Sequence, residues 1–231
     1  MARWDALAGV MRAAVVGGAC AITIVLGTFG EAAETAAPSD YEQVIAGRAE
    51  KIVSTLEQAG AESRGRVREA LLDFYRSTQA WHEAHGPRRK ELRSAQDDAS
   101  KEELAALERE LATIRDDFSN RLANDLSPAE VEKVKDGLTY GVLHVTERAY
   151  REMIVRLTDE QKAKIHDWLV EARDLAISEG SSEAKHGVFG KYKGRINNFL
   201  SQQGYDLKQE ERDWQLRRKA AAAGTTTEET K

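Results

Sequence analysis

Leu104, Leu107, Leu111, Ile114, Phe118 and Leu122 recur at steps of three and four residues, the period that lines side chains along one face of an α-helix. The seam covers two to three heptads, too few for a free-standing coiled coil, and predicts an antiparallel hairpin packed within a larger helical body. The same period runs through most of the chain. Tyr41, Val44, Ile45, Ile52, Val53 and Leu56 mark a helix ending near Gly60, and Val67, Leu71, Phe74, Thr78 and Trp81 mark a second. Gly86-Pro87 is expected to end that second helix, because proline disfavours helical geometry in the residue before it, and Pro87 then suits the first turn of the next.

Helix starts are written as capping signals. Ser100 to Glu103, Ser127 to Glu130 and Thr158 to Gln161 each place a hydroxyl three residues before a Glu or Gln, so that side chains can satisfy free backbone N–H groups reciprocally. Val131, Val134 and Leu138 follow the second box. Ile165, Trp168, Leu169, Ala172 and Leu175 follow the third, in a helix ending near Gly180. Between them, 137–146 carries two glycines and several β-branched residues and reads as an extended or irregular connection. Ala149, Tyr150, Met153, Ile154 and Leu157 restore the helical step. Phe189, Tyr192, Ile196, Phe199 and Leu200 form a late stripe, Gly204 is its expected C-cap, and Trp214 sits on a final charged helix. The expected fold is an all-α, single-domain bundle of about six helices with a helical hairpin over residues 40–219. Residues 220–231 are polar and low in complexity, the composition of a disordered tail.

The N-terminus reads differently. Arg3 and Arg12 precede an apolar run from Ala13 to Leu26, followed by small residues. This is the order of a secretory signal, and the run is short against the about 20 residues of a membrane span. Residues 1–32 are expected to be that signal, with Gly30 and Ala32 at the small positions before the cut; an uncleaved N-terminal anchor is the alternative. The expected location is periplasmic or secreted, with no stable membrane span after cleavage. Cys20, the one cysteine, lies inside the segment without a lipobox leucine, so the mature chain has no thiol for catalysis or for a zinc site. A net charge of -5 lacks the basic surplus of a nucleic-acid binder, and no nucleic-acid partner is expected.

Several constellations carry candidate chemistry. The densest is Lys185-His186-Gly187-Val188-Phe189-Gly190-Lys191-Tyr192-Lys193-Gly194-Arg195, continuing to Asn197-Asn198. Five cationic or imidazole side chains and three glycines would let charge and backbone approach an anion together. The candidate ligand residues are Lys185, His186, Lys191, Tyr192, Lys193, Arg195, Asn197 and Asn198. The same letters also describe a helix whose apolar residues pack inward, whose glycines admit a neighbouring helix and whose cations face solvent. Tyr140 and His144, in the expected irregular connection, are the candidate proton-transfer pair; a buried structural role fits them as well. His82 and His85 share a helix face at a spacing that can hold a metal, but they lack the register of a zincin motif. Helix-end histidines explain them without one, and neither metal nor cofactor is expected. The acid pairs Asp97-Asp98, Asp116-Asp117 and Asp159-Glu160 are neighbours that do not face each other on a helix. No nucleophile elbow, phosphate loop or dinucleotide fingerprint occurs in the sequence.

Two resemblances follow from these residues. Leu157-Thr158-Asp159-Glu160-Gln161 is similar to the L-T-x-x-Q pattern of the Spy and CpxP periplasmic chaperones, and Leu126 to Glu130 is a looser version. Val131 to Tyr150 and Leu157 to Trp214 resemble an exported bacterial family of unknown function, DUF3826. That resemblance extends over Tyr41 to Lys219, and Gly190 to Asn198 is its most specific part. It implies a secreted helical protein associated with bacteria that degrade complex polysaccharides, and it supplies no catalytic residues to transfer.

The leading expectation is an exported, non-catalytic binding or accessory protein that meets an acidic glycan or another envelope anion through Lys191, Lys193 and Arg195. A carbohydrate lyase or hydrolase using Tyr140 and His144, and a chaperone with a concave apolar cradle, are the alternatives. Whether the chain is an enzyme stays open from sequence, as does its oligomeric state.

Overall fold

A computed structural model describes residues 40–228, with side chains to Ala221, and every regular element among them is a helix. In chain order these are α1 (Asp40–Val53), α2 (Ala61–Leu92), α3 (Asp98–Ala123), α4 (Pro128–Leu138), α5 (Val142–Met153), α6 (Asp159–Ala176), α7 (Ser182–Gln202) and α8 (Leu207–Glu228). Among the described residues there are eight helices where the sequence suggested about six. The expected signal segment lies outside the described residues. α8 carries its backbone to Glu228, into the stretch assigned to the tail. None of the described helices is long and apolar enough to cross a membrane.

The hairpin forms, but its turn is displaced. α2 does not stop at Gly86-Pro87; it runs through Pro87 for another turn. Proline removes one N–H from the ladder, and contacts beyond it hold the last turn in line. Arg88 donates to both oxygens of Glu103 on α3 at 2.8 and 2.6 Å, and Leu92 is buried with Trp81, Leu107 and Leu111. α3 likewise begins earlier than expected, because Asp97 caps it by accepting the Ser100 N–H at 2.8 Å. The boxes at Ser127–Glu130 and Thr158–Gln161 form as read.

The largest correction falls on 137–146. Only Thr139, Tyr140 and Gly141 lie outside helices there, and Val142 onward is α5, with Leu143, Thr146, Tyr150 and Met153 on its buried side. Burial of that amphipathic face outweighs the weak helix propensity of β-branched residues. Gly137, at the end of α4, allows α1 to come close: a Cβ there would lie 2.8 Å from Ile52 Cγ1. In α6, Leu175 faces outward and Arg173 takes an interior place at 2 % exposure.

Besides the cluster of Trp81, Leu92, Leu107 and Leu111 between α2 and α3, two larger apolar cores form among the described residues. One joins α1, α2, the C-terminal part of α3, α4 and Ile177; the other joins α5, α6, α7 and Tyr205. Polar groups from 173 to 185 link the two. Arg89 of α2, 6 % exposed, donates to Glu108 of α3 at 2.9 and 3.0 Å and to Glu179 of the 177–181 link at 3.0 Å. Arg173 bonds Asp136 at 3.1 Å and Glu132, both on α4.

Because Glu179 is itself nearly enclosed, removing Arg89 leaves this buried carboxylate with only the long contact to Arg93 at 3.8 Å. Arg89→Ala is therefore expected to cost about 3–5 kcal/mol in urea denaturation, whereas Arg93→Ala, at a half-exposed pair to Glu108, costs under about 1 kcal/mol. Equal losses would contradict this account of the link.

Candidate functional site

Two helix ends meet at one side chain. The last carbonyls of an α-helix have no partner inside it, and Lys185, buried in the first turn of α7, donates from Nζ to the Leu138 carbonyl at the end of α4 (2.8 Å) and to the Ile177 carbonyl just past α6 (3.3 Å). Burial pushes the ammonium down to about 8, with the charge of Arg48 acting the same way and Glu179 opposing both. Nearby the chain turns sharply. Tyr140 sits at φ +59° and Gly141 at +66°, so a tyrosine occupies the left-handed region that favours glycine. Its ring is half-exposed and lies nearly parallel to that of His186, 19° between planes and 6.3 Å between centroids.

Arg48 completes the group from α1. Its charge acts on Tyr41, Tyr75 and Lys185, and Tyr75 in turn feels Tyr41 and Tyr140. Tyr41 stands two helical turns before Arg48 on the same face and donates to the Tyr75 carbonyl at 3.0 Å. The phenol of Tyr75 is pushed up to about 12 by burial, which keeps it protonated. The charge of Arg48 thus reaches Tyr41, Tyr75 and Lys185, and Tyr140 acts on Tyr75 and stacks with His186, which gives a candidate set drawn from α1, α2, the α4–α5 turn and the start of α7. Among the described residues, neither Arg48 nor Lys185 has a carboxylate in ion-pair contact. Chemically these are two cations, three phenols and one imidazole, groups able to bind a carboxylate or another oxyanion.

The remaining candidates on α7 separate from that set. At about 100° per residue, Lys191, Arg195 and Asn198 share one outward face; His186, Lys193 and Asn197 share another; Lys185 and Tyr192 turn toward Phe189 and Ile196. Arg195 stacks 4.5 Å over Trp168 and pairs with Glu171 at 3.3 Å. Tyr192 is hydrogen-bonded to Glu171 and raised above its ordinary value by burial. Lys193 is half-buried and held below the usual lysine range by that burial. Asn197 accepts the Tyr150 hydroxyl at 2.7 Å, while Lys191 and Asn198 face solvent. Gly187, Gly190 and Gly194 admit no neighbouring helix: a Cβ at any of them would meet nothing within 4 Å.

His144 does not join Tyr140. Its Nε2 donates to Asp136 at 2.7 Å, and the other Asp136 oxygen takes Arg173. His82 donates from Nε2 to the Ser178 carbonyl at 2.7 Å, and Gly180 is needed beside it, since a Cβ there would lie 2.9 Å from the ring. His85 points instead toward Glu110 at 3.8 Å. Among the described residues, no group of three or more His, Cys, Asp or Glu is placed to hold a metal. Three of the paired acids act locally, Asp97 on the Ser100 N–H, Asp98 on Lys101 and Asp159 on Lys162.

Sequence reasoning missed Arg48, Tyr41 and Tyr75. The available signal was weak: Tyr41 and Arg48 are seven residues apart, hence on one helix face, yet only the packing of α1 against α2 brings Tyr75 to them. A family model described as "Protein of unknown function (DUF3826)" matches residues 42–220, a span that takes in every member of the set except Tyr41. No curated protein matches the chain.

The site generates two predictions. Between about pH 8 and the ordinary lysine value of 10.5, the unfolded chain holds a proton that folded Lys185 has released, so this group makes stability rise with pH. Tyr75 and Tyr150, both raised by burial, oppose it above pH 10. Urea denaturation from pH 8 to 10 should show a rise that Lys185→Met lacks; parallel curves would contradict the assignment. Tyr140→Gly should raise stability by about 1 kcal/mol by relieving the left-handed strain, and a loss of that size would show that ring packing dominates.

Proposed function

The chain belongs to the DUF3826 family, and we propose that it is an exported, non-catalytic binding or accessory protein that holds an acidic glycan, or another anion of the cell envelope, beside Arg48 and Lys185. The observation that carries this reading is that the charge of Arg48 acts on the buried Lys185 ammonium, against that of Glu179, while neither cation has a carboxylate in ion-pair contact among the described residues. Like charges so placed repel, and an oxyanion bridging them would relieve that repulsion while gaining charge-assisted hydrogen bonds. Tyr140 with His186, and Tyr41 with Tyr75, supply ring faces suited to a sugar. A strained tyrosine is a feature that recurs at ligand sites. Of the eight α7 residues considered from sequence, Lys185 and His186 carry the reading. Lys191 and Arg195, on the outward face, are given no direct contact in it.

Calorimetry of the purified protein with oligogalacturonate tests the proposal. Arg48→Ala should weaken binding at least tenfold, the double variant Lys191→Ala/Arg195→Ala should change it less than threefold, and added salt should weaken the parent protein. Affinity should also fall as pH rises through about 8, where Lys185 loses its proton. Unchanged binding by Arg48→Ala would overturn the placement of the site, and the absence of binding to any acidic glycan or envelope anion would overturn the function.

A further inference from the structure

We propose that the outer face of α3 is a contact between two copies of this chain, the two α3 helices packing antiparallel about a two-fold axis between Glu108 and Arg109. On its inward side α3 places Leu107 and Leu111 with Trp81 and Leu92 of α2. The other side carries Lys101, Ala105, Arg109 and Asp116, all exposed, with Ala112 and Glu108 half-buried between them. At about 100° per residue these six fall on one strip. Along it runs a shallow cavity of about 520 Å³, and its lining residues, Lys101, Leu104, Ala105, Glu108, Arg109 and Ala112, all belong to α3. A hollow lined by one helix is filled by no other element among the described residues.

The charges on the strip select its occupant. A surface that meets its own copy across a two-fold axis must complement itself, since residue i meets j and j meets i. The positions 101, 105, 108, 109, 112 and 116 have the same spacing in both directions. With the helices antiparallel in that register, Lys101 meets the second copy's Asp116, Ala105 meets Ala112 and Glu108 meets Arg109, and each pairing occurs twice. No like charges face each other. Sliding one helix by four residues sets Asp116 opposite Ala105 or opposite Asp97, and either slide removes every charge pair of the strip. Complementary charge of this kind fixes register.

The side chains needed are available. Among the described residues, the Arg109 guanidinium and the Asp116 carboxylate take part in no hydrogen bond or ion pair. Lys101 holds only Asp98 at 2.8 Å, an exposed pair three residues apart that is exchanged at little cost. Glu108 already accepts from Arg89 and Arg93, so Arg109 adds to an occupied carboxylate and the Lys101–Asp116 pairs decide the register. Ala105 and Ala112 are short enough for the axes to approach toward the near end of the roughly 8–10 Å range of packed helices. The strip is about 22 Å long, small against the ~1,200 Å² at which stable interfaces begin. The dimer therefore forms and parts readily, and salt weakens it.

Sedimentation equilibrium of the purified protein at concentrations up to about 1 mM, where weak contacts register, tests this by exchanging charges. The parent forms a dimer. Lys101→Glu and Asp116→Lys, both on exposed side chains, should each weaken it at least about fivefold, because like charges then meet at both ends of the contact. The double variant Lys101→Glu/Asp116→Lys should return to within about twofold of the parent, since the pairs re-form with their signs exchanged. A chain that stays monomeric throughout, a dimer indifferent to both single variants, or a double variant no tighter than the singles overturns the proposal. Should a single variant lose helix by circular dichroism, Ala105→Glu decides in its place: a long charged side chain at that exposed position holds the helices apart, and a dimer of unchanged affinity overturns the contact.

Discussion

The meeting of two helix ends on one buried ammonium is the constraint on which this architecture turns. Leu138 ends α4 and Ile177 follows α6, and each leaves a carbonyl that the helix cannot satisfy; Lys185 takes both. The cation also lies at the negative ends of two helix dipoles, where positive charge is favoured. Its cost is desolvation, visible in the lowered affinity of the amine for its proton. Since α4, α6 and α7 must converge on Nζ, the α4–α5 connection has three residues in which to reverse, and Tyr140 is driven into a left-handed conformation.

The wider molecule repeats the theme of ionic contacts between apolar halves. One core gathers the first four helices and the other gathers α5 to α7, with Arg89, Arg173 and Lys185 crossing between them. Arg89 and Arg173 have carboxylates as partners. Lys185 has only carbonyls as hydrogen-bond partners, and the charge of Arg48 acts on it against that of Glu179. That contrast within a single structural layer separates a site from a fastening.

Much of the fold was legible because helical period and capping chemistry are local. The stripes ending at Trp81 and Leu122 and the boxes at Ser127 and Thr158 needed no knowledge of the rest of the chain. The errors arose where distant contacts overruled local preference: Pro87 lies within a helix because Arg88 and Leu92 grip α3 beyond it, and the β-branched residues after Gly141 are helical because their opposite face is buried. The site was half legible. Tyr140, Lys185 and His186 were singled out from composition, but the segment from Lys185 to Arg195 winds its charges onto different faces, and Arg48 and Tyr75 join through packing that no short motif records. The glycines of α7, which suggested close helix contact, face open space.

The central claim, that Arg48 and Lys185 await an anion, is tested most directly by titrating Lys185 itself through the NMR signal of its ε-carbon, with and without saturating oligogalacturonate. The free protein should titrate near pH 8, and the bound protein at higher pH, because a carboxylate beside the ammonium favours its charged form. An identical midpoint in the two states, with binding established independently, would place the ligand elsewhere and contradict the account.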